Sequence, residues 1–397
     1  MAALVGGLVV AAPVLAQTPQ LPAVTGVRVG GDAQKTRFIM DLTQKIDVAA
    51  FALATPYRVV VDMPQVAFRL PDRTGEQSRG LVKAFRYGLI MQGGSRVVLD
   101  TAGPVKVEKA FVLDAEAGEP ARLVIDLVAT DRTSFMRALT LDNRPERTTR
   151  IPDAPAKADN DVRPLVVLDP GHGGIDNGAR AASGELEKDV VLQFAQILRA
   201  RLEKSGKYRV AMTRNDDTFV PLTERVKYGR SQGAALFISI HADSIPKGEG
   251  QAEGATVYTL SETASDAEAA RLAEAENKAD AIAGVDLTAE PDDVANILFD
   301  LAQRETKTYS MKFARTVVGE LKTTARLHKN PLKSAGFKVL TAPDVPSVLV
   351  ELGFMSTKDD VKQLTSGVWQ AKTAAAVAQA IDSFFGPRLA RGQAGAN

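Results

Sequence analysis

The sequence predicts an all-β sandwich followed by an α/β domain whose mostly parallel central sheet is flanked by helices. Three observations lead there. Residues 21–131 hold short, β-branched, partly alternating stretches separated by turn residues. From residue 164 onward, strand-like apolar runs alternate with amphipathic helical ones, the pattern of a parallel sheet covered by helices. Between them, residues 132–163 are rich in Pro, Asp, Arg and Ala and poor in apolar side chains, as a flexible linker is. At 397 residues the chain has room for both domains, and its 45% apolar and 24% charged residues are ordinary globular material. A formal net charge of +1 lacks the basic excess of a nucleic-acid-binding surface, so no nucleic-acid partner is expected. There is no cysteine, which excludes disulfides and thiolate metal sites; a metal would rest on His, Asp and Glu.

The elements follow in order. Residues 1–20 carry an apolar run from Ala2 to Leu15 closed by small residues, like an export signal, although the basic leader that usually precedes such a run is missing. That run is too short to cross a bilayer comfortably, and no stable membrane insertion is expected. The stretches VTGVRVGG, TRFIMDL, YRVVVDM, SRVVLDT, VEKAFVL and ARLVIDLV read as strands. Three of them, RVVVDMP, RVVLDTA and RLVIDLV, run from a basic residue through an apolar core to Asp, an internal echo that suggests repeated hairpins. This region has no histidine and no catalytic constellation, which favours a binding role. In the second domain, PLVVL, YRVAMTR, ALFISI, ATVYTL, FKVLT and SVLV read as strands. LEKDVVLQFAQILRARLEK, PLTERVKYGRSQG and VWQAKTAAAVAQAIDSFF read as helices, the first with Leu186, Val190, Phe194, Ile197, Leu198 and Leu202 on one face. The domain is expected to end at 386, with 387–397 a disordered tail.

In open α/β sheets, sites form beyond the carboxyl ends of the strands. Three such ends carry chemistry. His172 follows PLVVL in a glycine-rich loop, His241 ends ALFISI, and Glu351 ends SVLV. The loop VVLDPGHGGIDNGA, residues 166–179, raises a choice between cradling a phosphate and holding a metal. No Gly-Lys-Ser/Thr follows, and the third glycine is misplaced for a dinucleotide fingerprint. The metal reading needs a third ligand, and Glu187, at the start of the long helix, is well placed, with Glu185 the other nearby carboxylate. Two histidines and a carboxylate with an open fourth position make a catalytic zinc site. His328, the third histidine, stands in ARLHKN and reads as a surface residue or a support behind the ligands.

The segments LDPGHGGIDNGA, ELEKDVVL, ISIHAD, AGFKVL and PSVLVELGFMS, in this order, resemble the zinc-dependent N-acetylmuramoyl-L-alanine amidases of bacterial cell-wall turnover. The resemblance covers residues 164–386 and implies Zn2+ on His172, Glu187 and His241, with Glu351 as general base or electrostatic catalyst. It implies hydrolysis of the amide between N-acetylmuramic acid and L-alanine, so peptidoglycan as substrate, by a zinc-activated water. The region 21–131 is similar to AMIN domains, β-sandwiches that target such amidases to the envelope, which places the protein in the periplasm of a Gram-negative bacterium.

Residues 262–305 are long for a connection in a compact domain. TASDAEAARLAEAENKADAIAGV predicts a helix with Leu272, Ala275, Ala279 and Ile282 on one face, ending at Gly284. A second helix is expected from Pro291, with Val294, Ile297, Leu298 and Leu301 on its apolar face. Division-associated members of the family carry a regulatory helix here that covers the zinc until a LytM-type activator protein displaces it. The resemblance therefore implies autoinhibition, with Glu276 or Glu274 filling the open zinc position. Two other readings stand beside it: a zinc carboxypeptidase-like hydrolase of related fold, and a non-catalytic cell-wall-binding divisome protein.

Overall fold

The computed structural model describes residues 21–91, 93–116, 118–140, 161–245, 253–285 and 297–394. The expected export signal, most of the linker and the start of the second insertion helix lie outside them. The first domain comprises β1 (Ala23–Gly31), β2 (Lys35–Leu42), β3 (Ala49–Leu53), β4 (Arg58–Pro64), β5 (Ala67–Phe68), β6 (Val82–Met91), β7 (Gly94–Thr101), β8 (Val105–Leu113) and β9 (Ala121–Ala129). They form a five-stranded sheet ordered β5-β1-β2-β9-β8 and a four-stranded one ordered β3-β4-β7-β6. Alternation explains the sandwich: Phe38, Met40 and Leu42 of one sheet meet Val59, Val61, Val97 and Leu99 of the other in a shared core. The six expected strands are present, and β3, β5 and β6 were not anticipated.

The echoed strands are not consecutive hairpins. β4 and β7 pair with each other, antiparallel, so that Arg58 lies opposite Asp100 and Asp62 opposite Arg96. β9, the third copy, lies in the other sheet beside β2, with Arg122 opposite Asp41 and Asp126 opposite Arg37. An Arg-x-x-x-Asp strand laid against an antiparallel copy brings each arginine onto the partner's aspartate, and Arg96–Asp62 and Arg37–Asp126 are such pairs.

The expected linker begins later than 132. Arg132–Thr140 forms α1, started by the Asp131 carboxylate, which accepts from the Ser134 N–H, and held down by buried Phe135 edge-on to Tyr57.

The second domain comprises β10 (Leu165–Pro170), α2 (Glu187–Ser205), β11 (Arg209–Met212), α3 (Leu222–Ser231), β12 (Leu236–His241), β13 (Ala255–Leu260), α4 (Ala267–Glu276), α5 (Ala279–Ile282), α6 (Ile297–Leu321), β14 (Leu327–Ala335), β15 (Ser347–Glu351), α7 (Lys358–Leu364) and α8 (Gly367–Ala394). The sheet order is β11-β10-β12-β15-β13-β14, parallel except where β13 meets β15. One face packs under α2, α6 and α8 through Phe194, Phe313 and Phe384; the other packs α3, α4 and α5 through Tyr228, Leu272 and Phe337.

Several expectations change. FKVLT is not a strand: residues 338–340 form a 3-10 turn, because the edge position is taken by β14 and the Lys338 N–H donates to the Asn277 side chain. The first insertion helix is two helices, α4 and α5. Asn277 breaks it by also donating from Nδ2 to the Gly336 carbonyl, at 2.8 Å, and the buried face is Ala269, Leu272, Ala273 and Glu276, with Ala275 exposed. The second helix continues to Leu321, far past 305, because Phe313, Ala314, Val317 and Leu321 belong to the main core. The last helix runs on to Ala394 rather than stopping at 386.

Asp169 and Arg225 tie this domain together beneath the site. Asp169 is fully buried at the end of β10 and accepts from Arg225, Thr213 and Ser239 at 2.7, 2.5 and 2.7 Å. Burial opposes its charge, but Arg225 and the two hydroxyls outweigh this and hold its pKa below 3.8. Arg225→Ala should therefore lower the unfolding free energy by about 3–5 kcal/mol, read from urea melts, because it strands a buried carboxylate. A depressed pKa stabilises above the unfolded value and is lost as pH falls through the folded one. The gap between parent and variant should thus narrow as the pH is taken below 3.8.

Candidate metal centre

Parallel pairing brings the site together. β12 lies between β10 and β15, so the loop after Pro170, the end of β12 at His241 and the end of β15 at Glu351 are neighbours. His241 is directly opposite Glu351 in the register. Glu187 opens α2, where the helix macrodipole favours a carboxylate. Its Oε2 accepts from the Ala179 N–H and its Oε1 from the Ala242 N–H, both at 2.8 Å, so it clasps the histidine loop to the end of β12. Glu185 instead accepts from the Ser183 hydroxyl and stays out of the cluster.

The glycines make room for these side chains. A Cβ on Gly171 would lie 2.3 Å from the His241 ring, and one on Gly178, at φ +63°, would lie 2.6 Å from both His172 and Glu187. The space at these two glycines is filled by the candidate ligands. His172 itself has φ 57°, a left-handed turn closed by paired Gly173 and Asp176 backbone hydrogen bonds at 2.9 and 3.0 Å. Lys188 holds the far side of the loop, donating to the Gly174 carbonyl and to Asp217, each at 2.8 Å.

His172, Glu187 and His241 are all buried and offer ligand atoms within 4.8 Å of one another. Glu187 Oε1 is 3.1 Å from His172 Nε2 and 3.3 Å from His241 Nδ1. Glu276, from α4, approaches the same two nitrogens at 3.7 and 3.2 Å. Donors about 2.0–2.1 Å from a tetrahedral zinc stand roughly 3.3 Å apart, so the four side chains have the spacing of such a site. Both facing nitrogens are buried and lack hydrogen-bond partners, as ligand atoms would. The donor set therefore fits zinc. The other nitrogen of His172 bonds Asp176 Oδ2 at 2.9 Å, the carboxylate support that metal-ligating imidazoles usually have.

The electrostatics are those of crowded carboxylates. Burial disfavours the Glu187 charge, but His172 and His241 outweigh it and hold the carboxyl well below 4.5. Burial disfavours protonated His172 too, yet Glu187, Asp176 and Glu276 raise its pKa well above 6.5. For Glu351, burial and then Asp243 and Glu187 push the carboxyl well above its usual value; one oxygen accepts from the Asp243 N–H at 3.0 Å, and the other is buried without a partner. Glu276 is raised well above 4.5 chiefly by burial.

The site therefore gathers His172, Glu187, His241, Glu351 and Glu276. Glu274 is elsewhere: it is exposed on α4 and pairs with Lys278 at 2.8 Å. His328 is also elsewhere. It lies on the edge strand β14, buried rather than at the surface, where its ring accepts from the Asn330 N–H and faces Glu268. Sequence reasoning missed Asp176 and Asp243. Asp243 is buried beside the cluster, and burial and then Glu187 raise its pKa to about 7. Its signal was its place two residues beyond His241; that of Asp176 was its place four beyond His172.

Fold and site define an α/β domain with a buried His–Glu–His cluster suited to a metal, carried behind a β-sandwich. Residues 166–383 match the family N-acetylmuramoyl-L-alanine amidase, and residues 26–127 match the AMIN domain. N-acetylmuramoyl-L-alanine amidase AmiC of Escherichia coli is 37% identical over 93% of this chain and 91% of that protein. AmiC of Neisseria meningitidis is 34% identical over 94% and 92%. AmiA of Escherichia coli is 40% identical over 56% of this chain and 76% of that protein. The chain belongs to the N-acetylmuramoyl-L-alanine amidases, with an AMIN domain of the AmiC type ahead of the catalytic domain. Among the described residues no helix is long and apolar enough to cross a membrane.

Asp176→Asn keeps the shape but removes the charge behind His172. It should weaken zinc binding about 10–100-fold in chelator competition.

Proposed function

We propose that this amidase is an exported, zinc-dependent peptidoglycan hydrolase whose own α4–α5 segment blocks its site. The observation that carries this reading is the convergence of four side chains, three from the catalytic sheet region and one, Glu276, from the insertion, on a single point. His172, Glu187 and His241 would hold the zinc, which when bound supplies a Lewis acid for the amide carbonyl and an acidified water.

The rest falls to the protein. The Asp243 N–H fixes one oxygen of Glu351 and leaves the other free to take a proton from the attacking water. Burial raises the basicity of Glu351, which suits it to accept that proton and later give it to the departing L-alanine nitrogen. Glu276 stands in the fourth position, where substrate or water would enter. Beside it only about 10 Å3 remains among Gly171, His172, His241 and Phe337, too little for a glycopeptide. The resemblance supplies the rest of the reading: a LytM-type activator that displaces the segment during cell division, and a periplasmic setting in which the AMIN domain engages the wall.

A carboxypeptidase would need an arginine free for its substrate's carboxylate. The two arginines buried beneath the site are committed. Arg225 donates to Asp169, Val220, Pro170 and His172, and Arg214 to Pro170, Gly171, Asp216 and Lys188. The intact set of four site residues, Glu351 among them, argues against a non-catalytic wall-binding role.

Glu351→Ala should reduce release of free stem peptides from peptidoglycan by about 10²–10⁴-fold while metal analysis still finds zinc; retained activity would sink the base assignment. Because a raised pKa keeps Glu351 protonated at higher pH, the acid limb of kcat/KM should lie above pH 4.5. Deleting residues 265–285 should raise hydrolysis in the absence of any partner, and an unchanged rate would count against autoinhibition.

A further inference from the structure

The outer face of the four-stranded sheet does not face solvent. Leu53, Val60, Ile90 and Val98 pack with Ile175, Phe219 and Ala283 in one buried cluster. Ile175 belongs to the loop that carries His172, and Ala283 follows α5. The contact is close: the Ile175 N–H donates to the Leu89 carbonyl at 3.1 Å, and a Cβ on Gly88 would lie 2.6 Å from the Ile175 nitrogen. Gly284, at φ +71°, sits where a Cβ would be 2.9 Å from methyl groups of both Val60 and Val98.

Three arginines of this sheet reach across to the end of α5. Arg58 Nη1 donates to the Ala281 carbonyl at 2.5 Å and reaches that of Val285 at 3.5 Å. Arg86 Nε donates to Ile282 at 3.2 Å, and Arg96 Nη1 to Ala283 and Gly284 at 3.2 and 3.1 Å. Five consecutive carbonyls, 281 to 285, thus accept from the N-terminal domain. A helix end leaves such carbonyls without partners of its own, and cations are favoured there. The guanidinium groups are held in place beforehand. Arg96 is bidentate to Asp62 at 2.6 and 2.9 Å, Arg86 is paired with Asp100, and Arg58 is 1% exposed.

This places the two ends of the α4–α5 segment on different domains. Its start is held by the catalytic domain, where Lys333 pairs with Glu268 at 2.8 Å and Asp266 caps α4. Its end, six residues beyond Glu276, is held by the N-terminal sheet. We propose that the AMIN domain of this protein has a second task, as an intramolecular clamp that keeps the α4–α5 segment seated over the metal centre. This rests on the autoinhibited reading above. Whatever draws the four-stranded sheet away from the catalytic domain removes the hold on carbonyls 281–285 and loosens Glu276. By linkage, anything that seats Glu276 tightens the two domains on each other.

The test uses the full zinc-loaded chain with Arg86→Ala and Arg96→Ala together, and the full chain lacking residues 265–285. Hydrogen exchange of amides 267–285 and partner-free peptidoglycan hydrolysis are both read. The clamp predicts exchange at least about tenfold faster in the double variant, with hydrolysis rising towards that of the deletion chain. Unchanged exchange in a double variant that is still folded overturns the clamp, even where the deletion chain is active and autoinhibition stands. Faster exchange with no gain in hydrolysis, in either chain, supports the clamp and overturns autoinhibition. Should the double variant not fold, Gly88→Val keeps all three arginines and drives the sheet off Ile175. With zinc content unchanged it should speed the same amides, and no change there overturns the clamp.

Discussion

The structure depends on how four carboxyl groups and two imidazoles are kept together out of water. Glu187 and Glu351 are fully buried, and Asp243 and Glu276 nearly so, around His172 and His241. Burial first, and then neighbouring carboxylates, raise the pKa of Asp243, Glu276 and Glu351. Only Glu187 is held down, by the two imidazoles it touches. In the zinc reading, a divalent cation where these donors converge would offset that repulsion. The surrounding framework serves this concentration of charge: Asp169 and Arg225 brace the strand ends, Lys188 and Asp217 brace the loop, and backbone N–H groups take both Glu187 oxygens and one of Glu351.

Much of this was legible in the sequence, because the chemistry falls at the ends of strands, where apolar runs stop abruptly. His172, His241 and Glu351 each follow such a run, and parallel pairing converts those stops into neighbours. Glu187 needed the helix start as well as its type. What was not legible depends on the partner of a residue rather than on its own pattern. Glu274 and Glu276 are two apart on one helix, and only the break at Asn277, pinned to Gly336 and Lys338, decides which turns inward. FKVLT has the composition of a strand, yet β14 already holds the edge beside β13. Asp176 and Asp243 support other groups, and the only mark of that task is their short spacing from His172 and His241.

The N-terminal domain carries the same lesson further. The Arg-x-x-x-Asp echo looked like a mark of repeated hairpins. In antiparallel pairs it becomes a lattice of ion pairs on the outer face of each sheet, with β4 and β7 on one and β2 and β9 on the other. On the five-stranded sheet Arg28 and Arg37 lie largely open to solvent. On the four-stranded sheet, Arg58, Arg86 and Arg96 are turned to the carbonyls that end α5. The same strand pattern therefore serves two surroundings, and which one an arginine meets is set by the sheet it joins.

In the proposed autoinhibited reading, these contacts bear on how the blocked site would be opened. Glu276 is attracted by His172 but repelled by Asp243, Glu187 and Asp176. Withdrawing it takes a carboxylate out of a crowd of carboxylates, which returns part of what its loss from the ligand set costs. The balance at the site itself is therefore not one-sided. The segment's position is then decided by its ends: Lys333 and the Asp266 cap at one, Asn277 in the middle, and the arginine-held carbonyls at the other. These polar contacts add to the apolar packing of Ala269, Leu272, Ala273 and Ala283. In that reading, a partner that competes for either end would release the segment without disturbing the residues on the catalytic sheet.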